Sequence, residues 1–171
     1  MTRKVLLTGR PGCGKTTLIK RVVNELARPA GGFYTEEIRE RGERVGFKMI
    51  TLDGQEALLA HVDFETPQRV GKYGLDLSAL ETVGVAAVRA AMRARQLVVL
   101  DEIGPMELRS AIFREIVSKT FEIGVPILAT ITARRFPFTE ALKKRPDVSV
   151  IEVRPNNREQ LVSELSAQFK A

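Results

Sequence analysis

Residues 6–20 read LLTGRPGCGKTTLIK, with three glycines and a proline set between an apolar run and an amphipathic segment. Gly9, Gly14, Lys15 and Thr16 fit the spacing G-x-x-x-x-G-K-[ST] of a phosphate-binding loop. A polyphosphate is wrapped only when consecutive backbone N–H groups turn inward, which needs φ values and a closeness of approach that a Cβ obstructs. The glycines make room for an anion. Arg10, Pro11, Gly12 and Cys13 are expected to contribute backbone to that cradle. Lys15 is expected to reach the β- and γ-phosphates, Thr16 to ligate Mg2+ through its hydroxyl, and Thr17 to lie near the α-phosphate. A helix starting near Lys15 would aim the positive end of its dipole at the same point. Four fixed positions match by chance in roughly one chain of this length in a hundred, so the motif outweighs a bare glycine turn.

On either side the pattern is strand, loop, helix. KVLLT is a short β-rich run, and Leu18, Ile19, Val22, Val23 and Leu26 share one helical face until Pro29 stops it. From Gly32 to about Val62 the segments GFYTEEIR and RVGFKMITL, with turns at Glu40–Glu43 and Asp53–Gly54, predict an antiparallel β-meander inserted after the first helix. Ser78 with Glu81 reads as a capping box for a helix running to about Arg95. LVVLDE is a continuous apolar run ending in two acids, which suits a strand buried on both faces. A helix carrying Leu108, Ile112, Phe113, Ile116 and Val117 follows, with its stop at Gly124. VPILATIT and VSVIEV are further strands with a short helix near Thr139 to Lys144 between them, and Asn156 with Glu159 caps a C-terminal helix. The alternation predicts one α/β domain over residues 1–171, three layers deep, with a mainly parallel sheet.

A magnesium ion bound through Thr16 needs a second oxygen anchor. Asp101, preceded by Leu100 at the end of the apolar strand, is placed for it, since ligands of open α/β sheets gather at the carboxyl ends of strands. Glu102 is expected to polarise a water for in-line attack on the γ-phosphate. Leu100, Asp101 and Glu102 are therefore counted with the nucleotide site, and Thr16 and Asp101 as the metal pair.

The composition fits a globular protein, with 44% hydrophobic and 28% charged residues and a net charge of +6 that suits acidic partners. One cysteine, Cys13, excludes an intramolecular disulfide and a cysteine-based zinc site. Apolar runs of about five residues are far below the ~20 a membrane helix requires, so no membrane partner and a cytoplasmic location are expected. A monomer acting on a nucleoside triphosphate is expected, with nucleic acid an optional partner.

The loop LLTGRPGCGKTTLIKRV, the hairpin GGFYTEEIRERGERVGFKMITL, the segment VGKYGLDLSALE and VVLDEIGPMEL follow one another along nearly the whole chain. Together they resemble the P-loop nucleoside-triphosphatase family first described from thermophilic bacteria and archaea, which includes a vertebrate cancer-related nucleoside triphosphatase. The resemblance implies Mg2+-dependent hydrolysis of ATP, GTP and other nucleoside triphosphates to diphosphate and phosphate, slowly and with little base preference. It also implies a RecA-like core in which another strand separates the phosphate-loop strand from LVVLD. Pro105 departs from the basic residue expected there in many relatives, which removes a phosphate contact from that position.

Arg134 and Arg135 follow PILATIT and are candidates to neutralise charge on the γ-phosphate, with a solvated loop as the alternative. Asn157 and Arg158 follow VSVIEV, where Arg158 is a candidate to stack on the base. Glu36, Glu37 and Arg39 would line the cleft or pair across the hairpin. His61 and the aromatics Phe33, Tyr34, Phe47, Phe113 and Phe121 read as structural. Two other functions use the same loop: a kinase that passes the phosphoryl group to a hydroxyl, and a nucleotide-gated module that binds RNA or protein.

Overall fold

A computed structural model describes residues 3–170. Nine strands form one sheet in the order β5-β6-β4-β3-β2-β7-β8-β1-β9. They are β1 (Lys4–Thr8), β2 (Ala30–Glu40), β3 (Glu43–Thr51), β4 (Glu56–His61), β5 (Arg69–Val70), β6 (Tyr73–Leu75), β7 (Leu97–Ile103), β8 (Ile127–Ile131) and β9 (Ser149–Glu152). The helices are α1 (Lys15–Glu25), α2 (Leu77–Ala79), α3 (Ala86–Arg93), α4 (Ala111–Glu122), α5 (Pro137–Lys143) and α6 (Arg158–Phe169). No helix among the described residues is long and apolar enough to cross a membrane.

Alternation along the central strands sorts the core into two faces. Val5 and Leu7, Leu97 and Val99, and Leu128 pack with Leu18, Ile19 and Val22 of α1 and Leu161, Val162 and Leu165 of α6. Leu6, Val98, Leu100, Ile127 and Ala129 pack the other way, with Val88 of α3 and Phe113, Ile116 and Val117 of α4. The expected three layers are present. The order β7-β8-β1 is the insertion of one strand between the phosphate-loop strand and LVVLD that the resemblance implied.

The sheet is less parallel than expected. β1 pairs in parallel with β8 and β9, and β7 with β8 and β2. The β2-β3, β3-β4, β4-β6 and β5-β6 pairs are antiparallel. The antiparallel meander expected after the first helix is present as β2-β3-β4 and continues the main sheet, because β2 pairs with β7 over Ala30–Phe33 and with β3 over Phe33–Glu40. Its turn uses Arg41 and Gly42 with φ of 49° and 81°, as a tight hairpin requires.

Two caps also differ from expectation. Asp76, not Ser78, accepts the Ala79 N–H at 3.0 Å, and Glu81 accepts instead the hydroxyl of Ser110 at 2.7 Å. The helix then runs through a π turn over Leu80–Val85 before α3, so three segments replace the single predicted one. At the C-terminal helix Asn156 is exposed and Asn157 occupies the capping position.

One half-buried ion cluster closes the far end of the sheet. The Lys4 ammonium, 7% exposed, donates to Asp147 at 2.5 Å and to the Phe121 carbonyl at 2.6 Å, while Arg145 holds the same carboxylate at 2.9 Å. Hydrogen bonds from Arg145 and Lys4 hold Asp147 well below the ordinary aspartate range. Asp147→Asn leaves Lys4 uncompensated and is expected to lower Tm by about 5 °C at pH 7, a figure reduced for the partial exposure of Asp147. Because the folded pKa is depressed, this stabilisation is complete above the ordinary value of 3.8 and is lost as pH falls below it. Thermal melts of both proteins from pH 7 down to pH 3 check this, and a gap that widens in acid would refute the assignment.

Candidate functional site

The loop between β1 and α1 has the geometry that its glycines foretell. Gly14 precedes the helix at φ 94°, in the left-handed region, and Gly12 has φ 77°. A Cβ on Gly9 would lie 2.7 Å from the Val153 carbonyl oxygen and 2.9 Å from Cys13 Sγ, so β9's exit and the loop meet only through glycine. Lys15 Nζ donates to the carbonyls of Gly9 and Arg10 at 3.1 and 3.2 Å, which fixes the ammonium across the loop. Arg10, Pro11, Gly12 and Thr17 are exposed at the rim. Cys13 Sγ lies 3.8 Å from Lys15 Nζ.

Asp101 stands beside this loop. Its Oδ2 accepts the Thr16 hydroxyl at 2.8 Å and the Thr35 N–H at 3.3 Å, and its Oδ1 accepts the Thr130 hydroxyl at 2.6 Å. Strand order makes the meeting inevitable: β7 carries Asp101, its neighbour β8 carries Thr130, and β1 beyond it delivers the loop. Burial raises the Asp101 pKa, and the bonds from Thr130, Thr16 and the Thr35 N–H, with the Lys15 charge, oppose the rise. Glu102 follows, its pKa raised by burial and then by the Asp101 charge, with Lys15 pulling it down.

Thr130 and the Thr35 N–H were not foreseen. The signal available was the first threonine of ATIT, Thr130, on an otherwise apolar strand, which becomes informative only once that strand is known to lie against LVVLD.

The other candidates lie around this core of the site. Leu100, expected in contact with nucleotide, is wholly buried in the core among the α3 and α4 side chains and serves to deliver Asp101. Arg134 and Arg135 are exposed beyond β8, and the Arg134 guanidinium lies 5.5 Å from the centre of the Phe136 ring. Both ends of the Asn157 amide are engaged, with the Arg154 N–H at 2.8 Å and the Glu152 carbonyl at 2.9 Å, so it locks the β9-α6 turn. Arg158 lies directly over Gly14, where its Nη1, Cδ and Cζ occupy the space a Cβ would need.

On the hairpin, Glu36 pairs with Lys20, and Glu37 with Arg39 and Arg44, so surface pairing accounts for them. His61 Nδ1 accepts the Asp63 N–H at 3.2 Å as part of a turn.

The donor set fits magnesium. Thr16 and Asp101 offer hard oxygen atoms already in contact, and Mg2+ takes one or two protein oxygens and completes its shell with water and phosphate. An anion cradle with a lysine, facing a carboxylate pair, can bind a polyphosphate and activate a water at its end.

Known proteins share this architecture. A family model described as NTPase matches residues 4–166. The nucleoside-triphosphatase THEP1 of Thermotoga sp. (strain RQ2) is 49% identical over 167 residues, 98% of this chain and 95% of that protein. The crystal structure of THEP1 from the hyperthermophile Aquifex aeolicus superposes with a TM-score of 0.91 at 32% identity, covering 98% of this chain and 99% of the other. The solution structure of a human cancer-related nucleoside triphosphatase gives 0.83 at 37% identity, covering 98% and 97%.

Proposed function

Since the chain belongs to this NTPase family, we propose that it is a magnesium-dependent nucleoside-triphosphatase that releases phosphate from ATP, GTP and related nucleotides with little selectivity for the base. The observation that carries the reading is the 2.8 Å bond between Thr16 Oγ1 and Asp101 Oδ2, which joins the phosphate loop to the carboxylate strand at one point.

In this reading the N–H groups of the loop and the α1 N-terminus bind the β- and γ-phosphates, and Lys15 swings from the Gly9 and Arg10 carbonyls to the same oxygens. Thr16 and Asp101 would hold the metal, with Thr130 and the Thr35 N–H fixing the carboxylate. When bound, magnesium would supply positive charge that offsets the negative charge of the phosphates. Glu102 orients a water in line with the γ-phosphorus and takes its proton on a carboxylate oxygen. The raised pKa suits this work, because a base effective near neutrality needs a conjugate acid not far below it. Arg158 is positioned over Gly14 to meet the nucleotide through its flat guanidinium, a stacking contact that any base can accept.

Phosphate release from ATP, GTP, CTP and UTP in Mg2+ with no added acceptor tests this. We expect all four to be hydrolysed with kcat/KM within about tenfold of one another, roughly 1.4 kcal/mol of discrimination. Release that appears only when a nucleoside or other alcohol is supplied would make the protein a kinase instead.

A further inference from the structure

One buried carboxyl has no part in the chemistry above. Glu107 opens the 3-10 turn Glu107–Arg109 and is 3% exposed, and its Oε2 is buried without a hydrogen-bond partner among the described residues. A buried polar atom left unpaired is costly, and an apolar side chain would pack beside Met106 and Leu108 without that cost. Its surroundings connect it to Glu102. Burial first, then the Glu102 charge, raise the Glu107 pKa well above the ordinary glutamate value, while the N–H groups of Glu107 itself and of Gly104 favour the charged form.

Gly104 lies directly against the Glu102 side chain. A Cβ there would lie 2.6 Å from Glu102 Oε1 and 2.8 Å from its Cδ and Cγ, so the Glu102 side chain rests directly on the Gly104 backbone. The Gly104 carbonyl in turn accepts the Leu108 N–H at 3.0 Å, which ties this turn to the segment that carries Glu107. The Glu102 side chain thus packs on Gly104, and the Gly104–Leu108 hydrogen bond closes the turn in which the buried Glu107 sits.

We propose that Glu107 is a positioning residue, whose buried carboxyl holds the Gly104 turn in place and so fixes the Glu102 carboxylate for activation of water. The inference rests on the reading of Glu102 as the group that takes the proton. A displacement of about 1 Å at a reacting group costs up to a hundredfold in rate, so a loosened turn has a kinetic effect without touching the phosphate loop.

The test uses three variants of the full chain. Glu107→Met removes the polar group at similar volume, and Glu107→Asp keeps the carboxyl but withdraws it by one methylene. Glu107→Gln keeps an acceptor oxygen at the original reach. For Met and Asp we expect kcat to fall about tenfold, with KM and the affinity for a fluorescent ATP analogue within about twofold. Glu107→Gln is expected to retain at least about a third of the parent kcat. In a Glu102→Gln background neither Met nor Asp is expected to slow turnover further, since the group they misplace is gone.

Asp decides the matter if Met does not fold. Parental kcat in Met or Asp, a loss expressed in KM, a Gln variant as slow as Met, or a full additional loss in the Glu102→Gln background overturns the inference. If Glu102→Gln itself turns over at the parent rate, the base assignment fails first and the positioning role with it. Parental turnover in Met or Asp beside an inactive Glu102→Gln refutes only the positioning role.

Discussion

Glu102→Gln is expected to lower kcat for ATP by about 10²–10³ while nucleotide affinity stays within about twofold of the parent. Glutamine preserves the shape and can still hydrogen-bond a water, but it cannot take a proton. Nothing in the phosphate loop changes, because Lys15 is held by the Gly9 and Arg10 carbonyls and Thr16 by Asp101. The loss therefore falls on the chemical step, about 3–4 kcal/mol of barrier. The parent should also show an acid limb above the ordinary glutamate value of 4.5, because burial and the Asp101 charge raise the Glu102 pKa and activity requires the ionised form. That limb should vanish from the residual rate of the variant. Single-turnover phosphate release, with a fluorescent-nucleotide titration beside it, separates the two quantities. Undiminished release by the variant would assign the proton to another group.

The second large effect is expected at the loop lysine. Lys15→Ala should reduce kcat/KM by about 10³, and unlike Glu102→Gln it should weaken binding of the triphosphate as well. A lysine in the cradle opposes ground-state phosphate charge and the charge that shifts toward the leaving oxygens, so its removal appears in both KM and kcat. The fold should be preserved, because Lys15 is only partly buried and its bonds are to loop carbonyls rather than to the core. Parallel measurements of Tm and of ATP affinity check this. Wild-type affinity in a folded Lys15→Ala protein would remove the ammonium from the phosphate site.

The parts of this site that could be read in the sequence are those that depend on neighbours along the chain. The phosphate loop is one continuous segment in which backbone φ and lysine position are set within seven residues, so Gly9 to Lys15 could be placed without knowing the fold. Asp101 and Glu102 were legible because a continuous apolar run ending in two acids reads as a buried strand that carries them to its carboxyl end, where ligands of open α/β sheets gather.

Thr130 was not, since its bond to Asp101 depends on β8 lying next to β7, and periodicity within a strand does not say which strand is beside it. The same limit explains the overestimate of parallel pairing: β2 changes partner at Phe33, a residue with nothing local to mark the change. The Asp76 cap was missed because Ser78, two residues on, is an equally good acceptor by type. The π turn brings Gly84 close against Met49 of β3, a contact between segments far apart in sequence that periodicity does not reveal. Glu107 could be seen in the sequence as a residue of DEIGPMEL, but its burial could not.

The central claim is that Thr16 and Asp101 hold one magnesium ion against the phosphates, and phosphate release from ATP as a function of free Mg2+ tests it most directly. With no acceptor present, the parent should be silent in chelator and saturate as Mg2+ is added, and Asp101→Asn should need at least about tenfold more Mg2+ to reach half its own maximum. Release that persists in chelator, or an Asp101→Asn protein with the parent's Mg2+ dependence, would contradict the account.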